Sequence, residues 1–110
     1  MLVNSRQDIN EAGLTAPLFG HVGDGNFHAL LLFDPDKLDE YESCKRVSVK
    51  MGKRAIELGG TCTGEHGIGT GKRGLLAEMV GVDCLDCMRA VKHAFDPKGI
   101  LNPGKVLSLS

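Results

Sequence analysis

Between Gly20 and His28 the chain reads Gly-His-Val-Gly-Asp-Gly-Asn-Phe-His, and no other stretch narrows its folding choices so far. Asp24-Gly25 is a hairpin-turn dipeptide, and Gly23 and Asn26 also tolerate positive φ. Leu18, Phe19 and Val22 lead into the turn, and the largely apolar run Phe27 to Phe33 leaves it. The expected unit is a tight antiparallel ribbon. With Gly23 to Asn26 as its loop, Val22 faces Phe27 and His21 faces His28. Directly opposed residues have Cβ atoms about 4.5–5.5 Å apart. Two imidazoles at that separation can share one metal ion through bonds of roughly 2.0–2.1 Å. The same pair is also compatible with ordinary surface or core packing, because short motifs of this kind discriminate weakly.

A second stretch, Thr61-Cys62-Thr63-Gly64-Glu65-His66-Gly67, supplies what two histidines lack. It has neither helical nor strand period, so adjacent side chains can point in different directions. Glu65 completes a two-His, one-carboxylate set that leaves positions open for substrate. His66, beside such an ion without binding it, suits a proton acceptor. Glycines at 64, 67, 69 and 71 raise the question of a phosphate cradle. The P-loop pattern needs glycine where His66 stands, and Ser or Thr where Arg73 follows Lys72. No convincing strand precedes Gly67-Ile68-Gly69, so a dinucleotide fingerprint fails too. The glycines fit a backbone that passes close to another surface or ligand.

At 110 residues the chain is one domain or less, and its formal net charge is -1. No basic run or aromatic stacking set favours nucleic acid. The longest apolar run, Ala29 to Phe33, is far too short to span a bilayer. Met1 to Asp8 has neither a signal peptide's apolar core nor a transit peptide's basic character. The four cysteines form no disulfide framework. Cys84-Leu85-Asp86-Cys87 is a C-x-x-C in form, but it lies in the first turn of a helical pattern and lacks two further ligands. Ordinary packing is expected of all four thiols.

Leu2 to Ala12 reads as a helix stopped by Gly13. Thr15 to Val22 reads as a strand whose Pro17 implies an edge or a bulge. Phe27 to Phe33 is apolar on both faces, which predicts a strand covered on both sides with His28 at the rim of a layer. Asp34 is expected to cap a long helix with Pro35 at its first position. Tyr41, Cys44, Val47, Met51, Ala55 and Leu58 form that helix's apolar stripe, and Gly59-Gly60 ends it. A short helix is expected over Lys72 to Val80. Another runs from an Asp83 cap through Leu85, Met88, Val91 and Phe95 to Asp96-Pro97. His93, opposite that stripe, reads as a surface residue.

Taken together, His21 to His28, Gly60 to Gly69 with Gly71-Lys72-Arg73, Asp96-Pro97 and Asn102-Pro103-Gly104-Lys105 resemble the C-terminal part of FAD-linked oxidases and dehydrogenases. The likeness is greatest to the D-lactate dehydrogenase (cytochrome) type, with glycolate oxidase D-subunits and D-2-hydroxyglutarate dehydrogenases as related types. It runs from about Thr15 onward. It implies an α+β fold: part of an antiparallel-sheet substrate domain with ferredoxin-like elements and a helical C-terminal segment. Residues 1–110 would be the C-terminal part of the substrate or cap domain, and 96–110 the segment that returns to the flavin. The resemblance makes His21, His28 and Glu65 ligands of a divalent metal, zinc or manganese. It makes His66 the catalytic base and Asn102 the FAD contact. The implied substrate is a small 2-hydroxy acid, and the implied electron acceptor is cytochrome c or an electron-transfer carrier. The implied setting is mitochondrial in a eukaryote, and cytoplasmic or membrane-associated in a bacterium.

Members of this family are several times longer, so the FAD-binding domain is expected to lie elsewhere and the 110 residues alone are expected to be inactive. A sheet cut in this way leaves strand edges unpaired, so self-association is expected. Two other functions use the same residues. A metal-dependent hydrolase would employ His21, His28 and Glu65 to activate water but leaves the C-terminal turn without a purpose. A non-catalytic binding or assembly fragment would need no metal.

Overall fold

Ile9 is fully shielded from solvent, and three parts of the chain meet around it. The computed structural model describes residues 1–108; positions 109 and 110, the end of the expected 96–110 segment, lie outside the described residues. Helix α1 (Leu2–Glu11) brings Ile9 against Val47 of α2 (Leu38–Glu57), while Ala16, Leu18, Ala29 and Leu31 close over them from a β-hairpin. Gly13, at φ 67°, ends α1 as expected. Asp8, almost buried, accepts from Arg54 and Lys50 of α2, so the two helices are also joined by charge.

The hairpin pairs β1 (Leu18–Phe19) with β2 (His28–Ala29), and the chain is α+β. Its ladder opposes Leu18 to Ala29 and Phe19 to His28, with a further bridge from Thr15 to Leu32. The regular strands are shorter than expected because Pro17 lacks an N–H: it accepts from Leu30 at 3.1 Å and cannot return the bond. One face of the ribbon lies on the core. On the other, Leu30 and Leu32 are 54% and 50% exposed, so the expected covering of both faces is corrected. Among the described residues, one helical layer lies against this single hairpin.

The long helix also starts later than expected. Asp34 Oδ1 accepts from the Asp36 N–H in a local turn, and α2 begins at Leu38 with Lys37 before it. Asp34 is therefore a turn residue and not a helix cap. Gly59 and Gly60 close α2 by donating to Ile56 O and Ala55 O, a paired arrangement that needs the positive φ of Gly59.

Helix α3 (Arg73–Val80) crosses α2 at Gly52, where Leu75 takes the room of a side chain, and Lys53 pairs with Glu78 at 3.0 Å. Helix α4 (Val82–Phe95) starts on Gly81, with Asp83 already inside its first turn. Of its expected apolar stripe only Leu85 is buried, while Val91 and Phe95 are 59% and 83% exposed. The packing expected of the thiols holds for Cys44 and Cys62 alone; Cys84 and Cys87 are exposed. His93 is exposed, as expected.

Candidate metal centre

The turn of the hairpin differs from the expected one by a shift that matters. Asp24 and Asn26 both donate to His21 O, and a short 3-10 turn (Val22–Asp24) precedes Gly25 at φ 70°. The loop is therefore Val22 to Gly25. Gly20 faces Phe27 and His21 faces Asn26; His28 stands opposite Phe19. Gly20 is required there, because a Cβ would lie 2.5 Å from Phe27 Cα. The expected direct pairing of His21 with His28 is thus corrected to a diagonal one. The pairing sum moves by two residues, and a shift of two keeps both imidazoles on the same face, whereas a shift of one would have separated them. Their ring centres are 6.3 Å apart.

Glu65 reaches the pair from the loop between α2 and α3. That loop is closed at its base by Lys72, whose Nζ donates to Cys62 O at 2.7 Å and whose N–H donates to Ile68 O. Gly64 permits the approach, since a Cβ on it would meet the Asn26 side chain. Glu65 Oε1 then lies 2.7 Å from His28 Nε2, 3.8 Å from His21 Nε2 and 3.9 Å from His66 Nε2. His28, Glu65 and His66 share an open cleft of about 980 Å³.

His21, His28 and Glu65 each offer a ligand atom, and these atoms lie within 4.8 Å of one another. Two ligands of a tetrahedral ion with 2.0–2.1 Å bonds are roughly 3.3 Å apart. The His28–Glu65 separation is shorter, so an ion would widen that contact and draw His21 inward. The His21 side chain is 64% exposed and free to follow. The donor set fits a divalent cation that binds imidazole and carboxylate.

His66 lies beside this set and outside it. Its ring is 4.9 Å from that of His28, and its side chain is 74% exposed. Phe19, which stands opposite His28, stacks on it at 5.3 Å. Asn102 is not brought into the cluster. It lines a separate hollow of about 380 Å³ with Arg89, Lys92 and His93. The turn carrying it, closed from Lys105 N to Asn102 O, joins the glycine loop through Val106 N–H to Gly69 O at 2.7 Å. Sequence reasoning treated Asn26 only as a turn former, yet its Nδ2 donates to Glu65 Oε1 at 3.4 Å. Its place opposite His21 was the signal, and that depended on the true register.

Residues 1–106 match the family described as FAD linked oxidases, C-terminal domain. The chain belongs to the FAD-linked oxidases. It is 44% identical over its whole length to a probable mitochondrial D-lactate dehydrogenase of Danio rerio, covering 22% of that protein. It is 45% identical over 96% of its length to the mitochondrial D-lactate dehydrogenase [cytochrome] of Kluyveromyces lactis, of which it covers 18%. It is 46% identical over 82% of its length to the glycolate oxidase subunit GlcD of Bacillus subtilis, covering 19% of that protein. The chain therefore spans about a fifth of the length of these relatives.

Proposed function

We propose that His21, His28 and Glu65 form the divalent-cation site of an FAD-dependent dehydrogenase of D-2-hydroxy acids, D-lactate foremost. The supporting observation is one carboxylate oxygen, Glu65 Oε1, within 4 Å of three imidazole nitrogens in a chain of the FAD-linked oxidase family. Zinc or manganese suits this donor set. Bound there, the ion supplies Lewis acidity that lowers the pKa of a hydroxyl or water it holds. FAD supplies the acceptor for the electron pair of the substrate's Cα–H bond.

The chain's own residues do the rest. His21 and His28 hold the cation from the hairpin, and Glu65 holds it from the glycine loop. His66 takes the hydroxyl proton on an imidazole nitrogen, from a position next to the ligand set. Phe19 keeps the His28 ring in its orientation by stacking. Asn102, on a turn tied to the glycine loop, would be the residue that contacts the flavin. Cytochrome c or an electron-transfer carrier would serve as the final electron acceptor. The setting is mitochondrial in a eukaryote, and cytoplasmic or membrane-associated in a bacterium.

Elemental analysis of the purified chain tests the ligand set. His21→Ala, His28→Ala and Glu65→Gln should each release the metal, while His66→Ala should retain it. A wild-type chain that takes up neither zinc nor manganese refutes the site. The His66 assignment is tested at the matching histidine of the Kluyveromyces lactis relative. Alanine there should abolish D-lactate-dependent cytochrome reduction with the metal still bound, and surviving activity refutes the role.

A further inference from the structure

Asn26 holds a place that its turn does not require. Its backbone N–H donates to His21 O, which any residue but proline could do. Its side chain lies between the two halves of the candidate site. On one side Nδ2 donates to Glu65 Oε1, the same oxygen that meets His28 at 2.7 Å. On the other side the carboxamide rests against Gly64: a Cβ there would stand 2.3 Å from Asn26 Oδ1 and 2.7 Å from Cγ. The carboxamide is thus wedged between the backbone before Glu65 and the carboxylate of Glu65.

This wedge has a direction. An amide carries a donor end and an acceptor end, and a carboxylate only accepts. The donor end must face Glu65, and the acceptor end then faces Gly64. Glu65 is 46% exposed and has three rotatable side-chain bonds, so without a partner its carboxylate samples orientations away from the imidazoles. We infer that Asn26 is a positioning residue for the cation site: its carboxamide, seated on Gly64, aims Glu65 Oε1 at His21 and His28. The inference rests on the reading of these three residues as ligands. Partners that orient a metal ligand in this way typically contribute 10–100-fold to metal affinity.

The test is zinc titration of the 110-residue chain against a chromophoric chelator, together with the His28 imidazole 15N signal of the metal-free chain at fixed pH. Asn26→Ala should weaken zinc binding about tenfold. Asn26→Asp keeps the shape, places a carboxylate against a carboxylate, and should weaken it further. Gly64→Ala should weaken zinc binding in the wild-type background by displacing the carboxamide. In the Asn26→Ala background it should add less than about twofold, because the group it collides with is gone. If both Asn26 variants bind zinc within about twofold of wild type and leave the His28 signal unmoved, the inference is overturned. If the wild-type chain itself takes no zinc, the ligand reading fails, and the His28 signal decides the role of Asn26 separately. A shift on Asn26→Ala then supports its hold on Glu65, and an unmoved signal overturns it.

Discussion

Leu75 of α3 occupies the space that Gly52 of α2 leaves by having no side chain: a Cβ on Gly52 would lie 2.5 Å from Leu75 Cδ1. This contact sets how closely α3 approaches α2, and the loop bearing Glu65 and His66 spans the gap between them. Gly52→Ala should lower stability by about 1–3 kcal/mol, the usual cost of an added methyl in a filled space. Urea denaturation measures it. Leu75→Ala should relieve the collision, so the double variant should lose less than the two single losses added together. Strict additivity would show that the two residues do not set the spacing.

The thiols should fall into two classes. Cys84 and Cys87 are exposed on the first turns of α4, and Cys44 and Cys62 are buried. Burial also pushes the Cys44 thiol above its usual pKa, with the Glu40 charge adding to the effect. Brief treatment with iodoacetamide, read by peptide mass spectrometry, should label 84 and 87 and leave 44 and 62 unmodified until the chain is unfolded. Early labelling of Cys44 would contradict its packing against the hairpin.

Asp96 should make the C-terminal turn acid-labile. A hydrogen bond from Lys92, opposed by burial and reinforced by the N–H groups of Leu101 and Ile100, draws its pKa from 3.8 to about 2. A depressed carboxylate pKa contributes stability above the unfolded value and loses it as pH falls through the folded value. The loss should therefore fall between about pH 4 and pH 2. Hydrogen exchange of the Ile100 and Leu101 amides should accelerate there relative to the intrinsic rate, and Asp96→Asn should remove that pH dependence.

The 110-residue chain supplied with FAD and D-lactate should reduce no acceptor. The His21 and His66 side chains are 64% and 74% exposed, and the cleft that His66 shares with His28 and Glu65 is open. Chemistry of this kind needs water excluded from the reacting groups. Flavin absorbance after desalting and dye reduction measure the outcome, and sustained turnover would contradict it.

Much of this protein is written locally. Gly13, Gly59-Gly60 and Gly81 end helices where the sequence puts them, because a residue of positive φ after a helical turn acts through its neighbours alone. The grouping of Glu65 with the two histidines was also legible, since Glu65 sits in a glycine-rich loop of no regular period where its side chain is free to turn toward them. Other features were misread for a shared reason. Val91 and Phe95 carry the helical period of a buried stripe but stay exposed, as do Leu30 and Leu32 on the ribbon. Periodicity shows which side chains share a face. It does not show whether another layer covers that face.

The amino-acid order by itself determined which side chains can donate to a cation, the turn-forming glycines and the family. Only the folded chain decided the pairing of His21 with Asn26, the diagonal relation of His21 to His28, and the wedge of Asn26 between Gly64 and Glu65. Donor identity is a property of single residues. Register and close approach arise from a whole turn and a distant loop meeting in space.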